Sequence, residues 1–139
     1  MEKKVEVAVY VPYRRNGKAW EFFLQKRDGN APTHPNIFSM FGGHMEADED
    51  SYTAVIREVA EELAYVPVTL HKFPRTFISE VNGKVFDVYT EEVDQDFESK
   101  VTVLEGEYGR FFTSAEIAQR TDVSGVGKDI VASLSDSFG

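Results

Sequence analysis

A chain of 139 residues, 42% apolar and 28% charged, has the length and composition of one soluble globular domain with a real core. Its net charge of −9 argues against a sequence-independent nucleic-acid binder, which needs a basic face to meet phosphates. Without cysteine there is no disulfide framework, thiolate zinc site or thiol nucleophile. Met1-Glu2-Lys3-Lys4 leads into an alternating pattern rather than an apolar signal core. No run approaches the roughly 18 apolar residues of a membrane span, so a cytoplasmic protein with no membrane partner is expected.

In chain order, Val5, Val7, Val9 and Val11 alternate with Glu6, Ala8 and Tyr10, which predicts a strand that Pro12 ends or edges. Arg14-Arg15-Asn16-Gly17-Lys18 reads as a turn, and Trp20 to Gln25 as the second strand. Asp28 to Asn36 is a loop, and Ile37 to Phe41 a short strand delivering Gly42-Gly43. A helix follows, with Asp50 as its N-cap and Pro67 as its stop. Its stripe of Tyr52, Val55, Val59, Leu63 and Val66 is predicted to bury against a sheet. Val68 to Glu80 and Lys84 to Glu92 read as strands joined at Val81-Asn82-Gly83, an Asn-Gly hairpin turn. Asp94 to Ser99 is an acidic loop, and Val101 to Glu105 and Arg110 to Thr113 are short strands. Ser114 is the expected cap of the next helix, and Asp129 to Ser135 forms the last. Gly125-Val126-Gly127-Lys128 lacks the Walker spacing and its hydroxyl residue, and reads as a helix entry.

The chemistry concentrates in residues 43–65. Glu58, Glu61 and Glu62 stand at i, i+3 and i+4 on one helical face, with no lysine between them. Such a stripe is either a solvated acidic face or a set of oxygen ligands for a hard divalent cation. The wider spacing decides between these readings. Gly43, five residues, Glu49, seven residues, Arg57-Glu58-Val59, one residue, Glu61-Glu62, one residue, then Ala64-Tyr65 resembles the Nudix box. That pattern is Gly-x5-Glu-x7-Arg-Glu-U-x-Glu-Glu-x-Gly-U, with U a bulky apolar residue. It is met at every defined position but one, where Ala64 replaces glycine. Glycine there is expected to be left-handed, so alanine either bears strain of about 1 kcal/mol or lets the helix run on toward Pro67.

The resemblance implies a single-domain α/β/α sandwich with a mixed sheet over residues 1–139. It implies hydrolysis of a phosphoanhydride in a nucleoside diphosphate linked to another moiety, with Mg²⁺ or Mn²⁺ as cofactor. Glu58, Glu61, Glu62 and Glu105 are the implied metal ligands. Glu105 stands in the run Glu105-Gly106-Glu107-Tyr108-Gly109 before the aromatic pair Phe111-Phe112, where the family carries a further carboxylate; it is the first choice for the base, with Glu107 and Glu61 as competitors. Arg57 is expected to hold carboxylates in place, with Glu49 its natural partner. Arg27, at a strand end, and Gly43 and His44, in the box loop, are candidate substrate contacts. A small nucleotide is the expected partner, a nucleic-acid polymer is not, and a homodimer is compatible with the sequence. Two other classes compete: a nucleotide-sensing module without turnover, whose usual mark is loss of box glutamates, and an acidic interaction domain that carries the pattern by chance.

Overall fold

The computed structural model describes residues 4–30 and 36–138. Residues 31–35 of the first long loop, His34 among them, lie outside that description, as do residues 1–3 and 139. Eight strands form one sheet: β1 (Val7–Asn16), β2 (Ala19–Lys26), β3 (Phe38–Ser39), β4 (Phe41–His44), β5 (His71–Lys72), β6 (Phe77–Ile78), β7 (Val85–Glu92) and β8 (Tyr108–Thr113). The sheet is mixed: β1 runs parallel to β7, and the other pairings are antiparallel.

The helices are α1 (Ser51–Leu63), α2 (Phe97–Lys100), α3 (Ser114–Gln119) and α4 (Gly125–Ser137). The alternation of β1 sends Val7, Val9 and Val11 to one face, with Ile117, Ile130 and Leu134 from α3 and α4. Ala8 and Tyr10 go to the other face, with Val55, Val59 and Leu63 from α1 and Phe97 from α2. The result is an α/β/α sandwich. No helix among the described residues is long and apolar enough to cross a membrane.

Several expectations are corrected. Pro12 does not end β1, because it falls where β1 hands over from β4 (paired through Tyr10) to β2 (paired from Tyr13), so no N–H is needed on that side. Val68 to Glu80 is not one strand; Pro74 separates β5 from β6. Ile37 to Phe41 likewise divides between β3 and β4, and the acidic loop holds α2, whose Phe97 is buried. Val101 to Glu105 alternates like a strand but pairs with helix carbonyls instead: Thr102 N–H donates to Leu63 O and Leu104 N–H to Glu62 O. Thr113, not Ser114, caps α3, in a capping box with Glu116. The last helix starts earlier than expected, at Gly125, behind the cap Ser124. On α1, Val55, Val59 and Leu63 are buried, but Tyr52 and Val66 are exposed, and Glu62 is buried instead. Val66 leaves the stripe because the helix ends at Leu63 and Ala64 turns left-handed, with φ 51° and ψ 44°.

Candidate functional site

Asp50 caps α1 by accepting the Thr53 N–H at 2.8 Å. The buried stripe then fixes the rotation of α1, which turns Glu58 and Glu62 toward β4. The Glu62 carboxylate accepts the Gly42 N–H at 2.6 Å. Two glycines permit this approach. Gly42 has φ +126°, and a Cβ on it would stand 2.2 Å from the Ala8 carbonyl oxygen; a Cβ on Gly43 would meet the Glu58 carboxyl at 2.8 Å.

Arg57 ties the loop to the helix. Its Nε donates to Glu49 at 2.7 Å and its Nη2 at 2.8 Å, a bidentate pair across the box loop. Nη1 reaches Glu58 at 2.9 Å and Glu61 at 3.4 Å, and Nη2 also donates to the His44 carbonyl at 3.2 Å. The guanidinium holds the Glu49 carboxyl down at about 2, well below the usual carboxylate range.

Glu105 arrives from the opposite side. The contact of Leu104 with the Glu62 carbonyl brings it beside α1, and Gln25 Nε2 fixes its carbonyl at 2.8 Å. Gln25, Arg27, Asp28, Glu62, Glu105 and Gly106 line a cavity of about 100 Å³. A larger depression of about 530 Å³ lies elsewhere, between the β1–β2 hairpin and the ends of α3 and α4, and no acidic side chain lines it.

The electrostatics single out Glu62. It is 4% exposed, and burial, together with the Glu58 and Glu105 carboxylates, pushes its carboxyl up to about 8 against the opposing Gly42 N–H. Burial also raises Glu58, against the pull of Arg57. Hard oxygen donors crowded together with so little compensating positive charge suit a hard divalent cation. Among the described residues no three metal-ligating side chains converge into a ready cage. A Mg²⁺ site does not require one, since that ion usually takes one or two carboxylates and completes its shell with water and substrate phosphate.

Of the residues singled out in the sequence, Glu58 and Glu105 lie close enough to Glu62 to raise its carboxyl, without the three converging on one point; Gly43 lies against Glu58, and Arg27 in the cavity wall. Glu61 is half exposed and turned to Arg57. Glu107 pairs with Lys26 at 3.1 Å, outside the cavity. The His44 ring meets Lys84. Sequence reasoning passed over Gln25 and Asp28. Gln25 shows its role only through its burial and its bond to the Glu105 carbonyl, which no local pattern encodes.

The family model for the NUDIX domain matches residues 2–134. The chain belongs to that family. Solved structures share its fold at low identity. The NUDIX domain of Shewanella oneidensis NrtR, complexed with ADP ribose, superimposes with a TM-score of 0.75 at 16% identity, covering 100% of this chain and 91% of that one. A MutT protein from Methanosarcina mazei Go1 gives 0.72 at 20%, covering 99% of each chain. A C. elegans Ap4A hydrolase gives 0.71 at 20%, covering 96% and 98%. No curated protein matches the sequence.

Proposed function

We propose that the protein hydrolyses a phosphoanhydride bond in a nucleoside diphosphate linked to another moiety, with Mg²⁺ or Mn²⁺ as cofactor. The observation that carries this reading is the buried Glu62 carboxyl, facing Glu58 and Glu105 with the Gly42 N–H as its one N–H donor among the described residues, at 2.6 Å. Family membership supports the reaction class, and every box glutamate is present.

Glu58, Glu62 and Glu105 would hold the cation, with Glu61 as a further ligand on the solvent side. When bound, the ion neutralises phosphate charge and lowers the pKa of a bound water. The chain's own residues do the rest. Arg57 holds Glu49 and Glu58 in one orientation, and Gly42 fixes one oxygen of Glu62. Glu105, on a loop anchored by Gln25, accepts the proton of the attacking water, with Glu61 as competitor for that role. Arg27, in the same cavity wall, meets a substrate phosphate, and Gly43 leaves room beside Glu58. The substrate is a small nucleotide rather than a nucleic-acid polymer, in keeping with the net charge of −9. The similar structures carry names that span ADP ribose, Ap4A and MutT, so the nucleoside moiety is assigned from none of them.

A phosphate-release screen over nucleoside triphosphates, nucleotide sugars, ADP-ribose and dinucleoside polyphosphates, with Mg²⁺ and Mn²⁺, tests the activity. Saturable nucleotide binding without turnover would turn the reading to a sensing module. On an active substrate, Glu105→Gln should lower kcat by about 10²–10⁴-fold with KM nearly unchanged, and flatten the acidic limb of the pH–rate profile. A normal kcat in that variant would move the role to Glu61 or Glu107, whose glutamine variants are measured alongside.

A further inference from the structure

The depression of about 530 Å³ between the β1–β2 hairpin and the ends of α3 and α4 has no part in the chemistry above, yet it has the volume of a small-molecule site. Two exposed cations, Arg15 and Lys18, line it, and among the described residues neither has a carboxylate within ion-pair distance. The neighbouring Arg14 shows how the chain treats a cation it uses for itself, pairing it with Glu21 at 2.9 Å and Glu98 at 3.5 Å. Asp and Glu outnumber Lys and Arg by 24 to 15. Two cations kept apart from that excess, over a lining without acids, make a local positive field in an acidic protein.

Arg15 is held in place. Its Nε donates to the Gly17 carbonyl at 3.2 Å, and its guanidinium carbon lies 5.3 Å from the Trp20 ring centre. The four N–H groups on its Nη atoms are left for a ligand, together with the three of Lys18. Trp20 and Phe138, half-buried with ring centres 5.0 Å apart, give the lining an apolar aromatic wall. Ser135 donates to Ser114 at 3.2 Å, which leaves the Ser114 hydrogen for a ligand oxygen. The depression is also remote from the box. Trp20 and Gln25, one in each cavity, stand five residues apart on β2, roughly 17 Å at the rise of a strand, and the odd spacing turns them to opposite faces of the sheet.

We propose that this depression is a second binding site, separate from the box glutamates, for a nucleoside monophosphate: its phosphate on Arg15 and Lys18, its base against Trp20 and Phe138, its ribose at the Ser114–Ser135 pair. The guanidinium and ammonium together balance the charge of about −2 on one phosphate monoester, so no metal ion is needed there. The aromatic wall supplies the stacking surface that a base takes whatever its identity. The assignment does not rest on the hydrolase reading.

Trp20 is the one tryptophan of the chain, so its emission reports on the site directly. AMP, GMP, CMP and UMP are titrated into the wild type in EDTA, where the box carboxylates have no cation with which to hold a phosphate, and binding is followed by tryptophan fluorescence and by calorimetry. At least one nucleotide should bind saturably and change the emission, with orthophosphate and the free nucleoside each at least about tenfold weaker. Arg15→Gln and Lys18→Gln should each weaken that nucleotide about tenfold, Lys18→Arg should keep most of the affinity, and Glu62→Gln should change it by less than about twofold. Saturable binding by none of the four, or binding indifferent to both glutamine variants of the cations, overturns the site. A loss in Glu62→Gln as large as that in Lys18→Gln returns the nucleotide to the box and overturns it too. Orthophosphate binding as tightly as the nucleotides overturns the assignment of a nucleotide. Turnover plays no part in these readouts, so failure of the hydrolase reading leaves each of them as decisive as before.

Discussion

Glu62 and Glu91 are both glutamates, both about as deeply buried, at 4% and 3% exposure, and they have opposite surroundings. Glu91, on β7, receives four hydrogen bonds, two on each oxygen. Tyr10 OH at 2.6 Å and Tyr65 OH at 3.2 Å donate to one, and the Val68 and Thr69 N–H groups at 2.6 and 2.8 Å to the other. Glu62 receives the Gly42 N–H and faces two more carboxylates. Glu91 closes an account within the fold, tying the loop after α1 to the sheet and holding the chain that leaves Ala64. Glu62 is left short of donors. At equal burial it is the supply of donors that separates an architectural carboxylate from one held ready for a ligand.

The comparison is broken most directly by removing each charge. Glu62→Gln should lower turnover at least about 100-fold, as should Glu58→Gln, while the folded state survives. A near-normal rate at saturating Mg²⁺ in either variant would remove that residue from the site. Glu91→Gln should do the reverse. It keeps the volume but replaces an acceptor oxygen with an amide donor facing donors, and should lower stability by about 2–3 kcal/mol in a denaturant melt.

The pH dependence sharpens the contrast. The Glu62 carboxyl sits at about 8 in the folded chain against an ordinary value of 4.5. Between those values the folded state keeps a proton that the unfolded state releases, so Glu62 makes stability fall as pH rises through that window. Its favourable contribution is complete below the unfolded value. Thermal melts from pH 5 to 8 should show this slope, and Glu62→Gln should flatten it. Mg²⁺ should raise Tm more at pH 8 than at pH 5, because at pH 5 the cation competes with a bound proton. Equal Mg²⁺ shifts at both pH values would count against Glu62 as a ligand.

The smallest effect is expected at Ala64, between the two carboxylates along the chain. Its φ of 51° is one that glycine adopts without strain, so Ala64→Gly should stabilise by about 1 kcal/mol. A loss of similar size in a thermal melt would show that the loop bound to Glu91 prefers alanine's restriction to glycine's freedom.

What the sequence determined by itself is what a short stretch of chain can encode. The i, i+3, i+4 spacing put Glu58 and Glu62 on neighbouring positions of one helix, and the box spacing named the family. The Asp50 cap, the alternation of β1, and Val55, Val59 and Leu63 as the buried stripe all follow from local periodicity, which fixes direction within a turn or a strand. The tertiary structure decided what depends on distant segments meeting. Glu105 stands by Glu62 because Leu104 pairs with a helix carbonyl, a contact that strand-like alternation in residues 101–105 does not reveal. Tyr52 and Val66 share the stripe in sequence yet lie outside it, since where α1 ends and how far the sheet extends are set by other elements. Pro12 stays within β1 because two partner strands change over beside it. Nothing local in sequence marks Glu91 off from Glu92 beside it. Only the register of β7 against β1 and the path of the loop after α1 give Glu91 its four donors. Registers between distant segments are fixed by the summed packing of whole faces, so no single residue announces them.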